Sequence, residues 1–241
     1  MTNAPGITVS GRATSKGEPL FGPLNFEMPP GRWSCLLGAS GVGKTTVLRL
    51  IAEMDSHASF TGTISASDGA PLTNRIAYMA QSDMLLPWLT LRGNVTIGAK
   101  LRGETADIDR AERLLRRVGL SAHLDKKPSA LSGGQRQRVA LARTLMEDRP
   151  VILLDEPFSA LDAKTRADMQ DLAAEQLARR TVLLVTHDPA EAARLGDQIN
   201  IMTQTDLIPM NVPHSSAPRP VNDPATLVLQ GQLYQLLRED A

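Results

Sequence analysis

Trp33-Ser34-Cys35-Leu36-Leu37 runs directly into Gly38-Ala39-Ser40-Gly41-Val42-Gly43-Lys44-Thr45, with Thr46-Val47-Leu48 behind it. The first five residues read as a strand. The next eight match G-x-x-x-x-G-K-[ST] in full, and the spacing predicts a helix over 44–53. Glycines let backbone N–H groups converge on an anion, and a helix N-terminus adds partial positive charge. Lys44 then reaches β- and γ-phosphates, and the Thr45 hydroxyl serves as a ligand for Mg²⁺. Gly38, Ala39, Ser40, Gly41, Val42, Gly43, Lys44, Thr45 and Thr46 are the candidate phosphate-binding residues.

A second element supplies acid. Val151-Ile152-Leu153-Leu154 is followed by Asp155 and Glu156, placing two carboxylates at the C-terminal end of a strand, where open parallel sheets bind ligands. Asp155 is the candidate metal ligand, through water, and Glu156 the candidate general base. Val151–Leu154 and Thr181–Val185 are continuous apolar runs of the kind covered on both faces. The helix predicted between them, over 163–178, makes the class α/β with a parallel sheet and crossover helices.

Elsewhere the readings are coarser. Strands are predicted at Ile7–Val9, Leu24–Met28, Thr61–Ser65 and Ile76–Met79, with a turn at Pro29-Pro30-Gly31. Helices are predicted over 91–99, over 107–118 and from Ser132 to about Leu145. In the second of these, Ile108, Ala111, Leu114, Leu115 and Val118 form one packing stripe and Gly119 caps the end. Pro209–Pro224 reads as a loop, and 227–237 as a closing helix. There is no internal repeat.

Composition narrows the function. The chain has 241 residues, enough for a full core without staples. Its single cysteine, Cys35, excludes a disulfide framework and a cysteine-based zinc site. Lys plus Arg and Asp plus Glu are both 26, which argues against a generic nucleic-acid coat. Aromatics at 3% leave little for a base-stacking surface. No apolar run is long enough to cross a membrane, and the first dozen residues lack the features of a signal peptide. The expectation is a soluble, cytoplasmic protein that does not bind nucleic acid.

Between the two phosphate-site elements lies Leu131-Ser132-Gly133-Gly134-Gln135. With it the sequence resembles the nucleotide-binding subunits of ABC transporters, whose signature reads LSGGQ, over nearly the whole chain to about residue 205. On its own, Ser132 is an N-cap and the glycines a helix start that exposes N–H groups, a second anion site without a lysine. The resemblance implies more. Ser132, Gly133, Gly134 and Gln135 close on the γ-phosphate held by the opposite subunit of a head-to-tail homodimer that sandwiches two ATP molecules. Gln81 matches the Q-loop glutamine, a sensor of Mg²⁺ and of the attacking water. Ser159-Ala160-Leu161-Asp162 matches the D-loop, and His187 matches the switch histidine that contacts the γ-phosphate and positions Glu156. Gln81, Glu156 and His187 are thus the implied catalytic set, and Thr45, Gln81 and Asp155 the implied metal set.

The resemblance also implies a P-loop NTPase core with a mostly parallel sheet, an N-terminal antiparallel β subdomain and an inserted α-helical subdomain. Residues 1–241 form one ATPase domain on this reading. Its nucleotide-binding core covers about 1–80 and 147–205, its helical signature part about 81–146, and its C-terminal extension 206–241. With no membrane span of its own, the chain requires separate integral-membrane permease subunits, and through them a periplasmic or surface substrate-binding protein. It would sit peripherally on the cytoplasmic face of the cell membrane, as importer subunits do. Leu85-Leu86-Pro87-Trp88 and Asp155-Glu156-Pro157-Phe158-Ser159-Ala160-Leu161-Asp162-Ala163 look like the nitrate/sulfonate/taurine importer group, which includes carriers of thiamine-precursor pyrimidines. The Gln81–Leu101 stretch is the expected permease contact, with plain core packing as the other reading of Leu85, Leu86 and Trp88.

Two positions depart from the family pattern. The aromatic that stacks on adenine falls near Thr14-Ser15, where there is none; Phe21 or Arg12 could stand in. The usual Gly-Glu is Gly31-Arg32. A competing reading, a soluble ABC ATPase acting on DNA or ribosomes, meets three obstacles: too little chain between Thr45 and Ser132 for a long coiled coil, a single cassette, and neutral charge. A P-loop kinase or GTPase leaves Leu131–Gln135 unexplained.

Overall fold

The computed structural model describes residues 4–239. In chain order, β1 (Ile7–Ser15), β2 (Glu18–Met28) and β3 (Trp33–Leu37) precede α1 (Lys44–Ile51), β4 (Ser59–Ala66) and β5 (Ile76–Met79). Three helices follow, α2 (Leu91–Leu101), α3 (Ile108–Arg117) and α4 (Gly133–Met146). Then come β6 (Val151–Asp155), α5 (Ala163–Gln176), β7 (Thr181–Thr186), α6 (Pro189–Leu195), β8 (Gln198–Met202), β9 (Leu207–Met210) and α7 (Pro224–Glu239). The chain forms two compact units. One takes the residues up to Ile76, Arg149–Glu156 and the chain from Ala178 onward; the other takes Ala77–Asp148 and Pro157–Leu177.

The first unit holds an antiparallel sheet in the order β2-β1-β4 and a mostly parallel run β6-β7-β3-β8-β9. In the latter, β3, β6 and β7 are buried at every position, which is why their sequences are apolar without alternation. Register decides what this sheet can do. Leu37 pairs with Thr186, and Asp155 pairs with Val185. The residues just past the three strands, Gly38, Glu156 and His187, therefore emerge at one edge.

Several sequence expectations change here. The reading of 209–224 as loop is corrected at its start, because Pro209 lies inside β9 and pairs with Asn200. A strand with only one neighbour needs no N–H on its outer side, so proline is tolerated there. Strand β8 and helix α6 were not predicted. β1 and β2 extend well beyond Ile7–Val9 and Leu24–Met28, joined by a tight turn at Lys16 and Gly17 with φ of 53° and 88°. α1 ends at Ile51 because Glu53 turns left-handed, at φ 55°. Arg32 sits beside the carboxylate of Asp197, which also accepts the Trp33 N–H, so the departure at Gly31-Arg32 serves a local surface contact.

In the second unit α2, α3 and α4 pack together and α5 joins α4. α3 buries Ala111, Leu114 and Leu115, with Val118 and Leu120 following, and Gly119 takes φ 73° at its end. Ile108, expected in the buried stripe, is 43% exposed on the first turn. Its N-cap is Asp107, which accepts the Arg110 N–H.

Candidate functional site

Gly41 and Gly43 take φ of 90° and 102°, a region that L side chains rarely enter, and a Cβ on Gly38 would collide with the Met202 carbonyl. The loop therefore needs its glycines at these positions. A Cβ on Gly43 would stand 2.7 Å from Cδ1 of Phe21, so the ring supports the loop from behind. Phe21 is only 3% exposed, which removes it as a base-stacking substitute; Arg12 is exposed.

Lys44 begins α1 and is buried, with Nζ donating to the carbonyls of Gly38 and Ala39, both at 2.7 Å. Burial pulls its pKa down, while Glu156 and then Asp155 push it back up. The Thr45 hydroxyl donates to Oδ1 of Asp155 at 3.2 Å, so the helix start and the end of β6 meet. These two oxygen donors suit a hard divalent cation. Among the described residues no three His, Cys, Asp or Glu side chains cluster to hold a metal alone. A cation here would share few protein oxygens with phosphates and water, the usual Mg²⁺ pattern.

Glu156 takes φ 49° and donates its N–H to the Val185 carbonyl at 2.9 Å. This left-handed backbone, uncommon for a non-glycine residue, turns the side chain out of the strand direction. Nδ1 of His187 lies 3.0 Å from its Oε1. Lys44, Thr45, Asp155, Glu156 and His187 thus gather at one strand edge. Cys35 takes no part: its thiol is buried, and burial, then Glu191 and Asp197, raise its pKa well above the ordinary range.

The second unit collects the other sequence candidates. A cleft of about 240 Å³ is lined by Gln81, Asp83, Gly133, Arg136, Gln137 and Ser159. Ser132 caps α4 in a reciprocal box: its Oγ accepts the Gln135 N–H, and its own N–H donates to Oε1 of Gln135 at 2.9 Å. Gly134 must be glycine, since a Cβ would stand 2.9 Å from the Ala160 carbonyl. A Cβ on Gly133 would meet only Arg136, at 3.9 Å. Asp162 caps α5 by accepting the Thr165 N–H, which holds its carboxyl below the usual carboxylate range.

Sequence reasoning missed the side chains that tie these motifs together. Gln137 donates to Ser159 Oγ and accepts the Ala160 N–H, joining the signature helix to the D-loop. Arg136 donates to Asp83 Oδ2 at 2.9 Å, and Arg143 donates to the carbonyls of Asp83 and Met84. Two arginines seven residues apart on one helix were the available signal; their partner was not visible. In the stretch after Gln81, Leu85 is buried, whereas Met84 and Trp88 are 62% and 65% exposed.

The sequence profile of the ABC transporter family matches residues 21–159, more than half of the chain. The chain belongs to the ABC transporter family. An ABC transporter ATP-binding protein of Haemophilus influenzae, described as uncharacterized, is 46% identical over 228 residues, covering 92% of this chain and 93% of the relative. The aliphatic sulfonates import ATP-binding protein SsuB 2 of Agrobacterium fabrum is 45% identical over 187 residues, covering 77% and 71%. Among solved structures, a post-hydrolysis dimer of the ATP-binding cassette MJ0796 bound to ADP and Pi superposes with a TM-score of 0.72 at 28% identity, covering 89% of this chain and 99% of that one. The chain is an ABC ATPase: it binds and hydrolyses ATP. Among the described residues no helix is long and apolar enough to cross a membrane.

Proposed function

We propose that this ABC ATPase is the motor subunit of an importer, working as a head-to-tail homodimer on the cytoplasmic face of the membrane beneath separate permease subunits. The observation that carries the chemistry is the convergence of Lys44, Thr45, Asp155, Glu156 and His187 at one strand edge. The loop amides, Lys44 and Thr46 hold the triphosphate. Thr45 and Asp155 would hold Mg²⁺, which neutralises charge on the β- and γ-phosphates when bound. Glu156 takes the proton from the attacking water. A proton on His187 Nδ1 holds the Glu156 carboxylate in orientation for that proton transfer. Ser132, Gly133, Gly134 and Gln135, with Asp162, face the triphosphate of the opposite subunit.

The permease contact is the stretch around Trp88, where Trp88 and Met84 are both largely exposed. Small organosulfonates are the favoured cargo class, by analogy with the Agrobacterium relative's name. The substrate-binding protein and the permease, rather than this chain, select that cargo. Reconstitution with the permease tests the reading: ATP should drive uptake of an alkanesulfonate into membrane vesicles. Failure of the chain to associate with permease-containing membranes would contradict the importer assignment. Uptake of a different anion would move only the cargo.

A further inference from the structure

Arg219, 1% exposed, is the largest fully buried side chain among the described residues, and it lies in a stretch whose sequence reads as Pro- and Ser-rich loop. Its Nη1 donates to the carbonyls of Ala193 and Gly196, at 2.9 and 2.8 Å. Its Nη2 donates to the Pro213 carbonyl at 3.1 Å. Its backbone N–H donates to the Arg194 carbonyl, and its own carbonyl accepts from Arg194 Nε. The guanidinium therefore closes the C-terminal end of α6, where a helix leaves carbonyls unpaired and carries partial negative charge.

The other end of α6 begins two residues after His187. There, buried Thr186 donates its hydroxyl to Glu191 at 2.8 Å and accepts the Asp188 N–H at 3.0 Å. Asp188 in turn accepts the Ala190 N–H. A helix of seven residues is too short to hold its own shape in water. Its position is set by what grips its two ends and by β3, β7 and α7, against which it packs. His187 sits between one grip and the nucleotide edge.

We infer that Arg219 is a positioning residue for hydrolysis, acting from behind α6 to hold His187 against Glu156, so that the C-terminal segment is part of the motor and not a passive tail. This rests on the assignment of His187 to the hydrolysis site. Loss of the grip lets α6 shift while Lys44, Thr45 and the loop remain intact. Turnover then falls and nucleotide binding does not.

The test is a mutant cycle on the full-length chain. Arg219→Met and Arg219→Lys are each measured for kcat, KM, ATP affinity and Tm, in the native background and with His187→Ala. Single-turnover hydrolysis of labelled ATP reads the slow variants. In the native background kcat should fall on the order of 10- to 100-fold for Met, the scale of a misplacement of about 1 Å, and less for Lys, with ATP affinity within about twofold. In the His187→Ala background neither change should lower kcat further. Val9→Ala, a buried change in β1, serves as the stability control: it should lower Tm without this pattern. Equal losses of kcat in both backgrounds, or native kcat in a folded Arg219→Met chain, would overturn the inference. Should the Met variant fail to fold, the Lys variant alone decides by the same comparison. Full turnover in His187→Ala by itself would instead overturn the role given to His187.

Discussion

Nδ1 of His187 stands 3.0 Å from Oε1 of Glu156, and the two side chains leave neighbouring strands whose register pairs Asp155 with Val185. The Glu156 side chain is 15% exposed and the His187 side chain 55%. One partner is thus sheltered enough to hold its orientation, while the other is open to a ligand. A base and its orienter within hydrogen-bond reach is the geometry that activating a water requires.

Subunit cooperation can be tested by mixing lesions. Ser132→Arg damages the signature, whose glycine turn is open at Gly133, and Lys44→Ala damages the phosphate loop. If the signature acts across the dimer, a heterodimer of the two variants holds one composite site with both lesions and one with neither. Nucleotide should then be occluded in the intact site, measured by trapped labelled ATP. Mixed dimers that never occlude nucleotide would refute action in trans.

Coupling to the permease can be tested at Trp88. Charge reversal at Asp83 is a poor probe, because that carboxylate already pairs with Arg136. Trp88 is 65% exposed, so Trp88→Asp should leave ATPase activity of the isolated subunit within about twofold, as surface changes do. Loss of a tryptophan anchor costs roughly 2 kcal/mol or more of binding, about 30-fold, so permease affinity and uptake should fall by that order. Parallel losses of ATPase and uptake would point to folding instead.

Base recognition should be weak. Thr14 and Ser15 offer no ring, and Phe21 is buried behind Gly43. A base–aromatic stack is worth roughly 1–3 kcal/mol, about 5- to 150-fold in affinity. Without it, GTP should compete with labelled ATP to within a few-fold, and Ser15→Tyr should tighten ATP binding. An ATP preference above about 50-fold, comparable to a full stack, would mean that another residue supplies the contact.

Acid should loosen two helix starts. Asp162 accepts the Thr165 N–H, and Asp223 accepts the N–H and hydroxyl of Thr226. Both carboxyls are held below the ordinary value, Asp162 chiefly by that backbone N–H and Asp223 chiefly by the hydroxyl. The unfolded chain therefore binds protons first. The stabilisation is complete above about pH 3.9 and is lost as pH falls through the lower folded values. Tm should drop more steeply below pH ~4 in the native chain than in the Asp162→Ala/Asp223→Ala variant. Parallel curves would contradict this.

What the sequence revealed and what it hid follow from range. The phosphate loop was legible because strand, glycines, Lys44 and helix start lie in one uninterrupted stretch, and Asp155–Glu156 because an apolar run ends on acids. Ser132 read correctly as a cap because its bond to the Gln135 N–H spans three residues, whereas the return bond from the Gln135 side chain was not read. The grip of Arg136 and Arg143 on Asp83 and Met84 crosses more than fifty positions, so no local pattern announces it. Strand β9 was hidden by Pro209, and Arg219 by surroundings that look like loop. Nor does an apolar cluster state which members face outward: Leu85 is buried and Trp88 is not.

The most direct test of the hydrolysis site is Glu156→Gln in the full-length chain, which keeps shape and removes the base. Phosphate release should fall by about 10²–10⁴-fold, the usual contribution of a positioned base. ATP binding should persist, and size-exclusion chromatography with ATP should show a stable dimer that closes but does not hydrolyse. Near-native phosphate release from that variant would contradict the account.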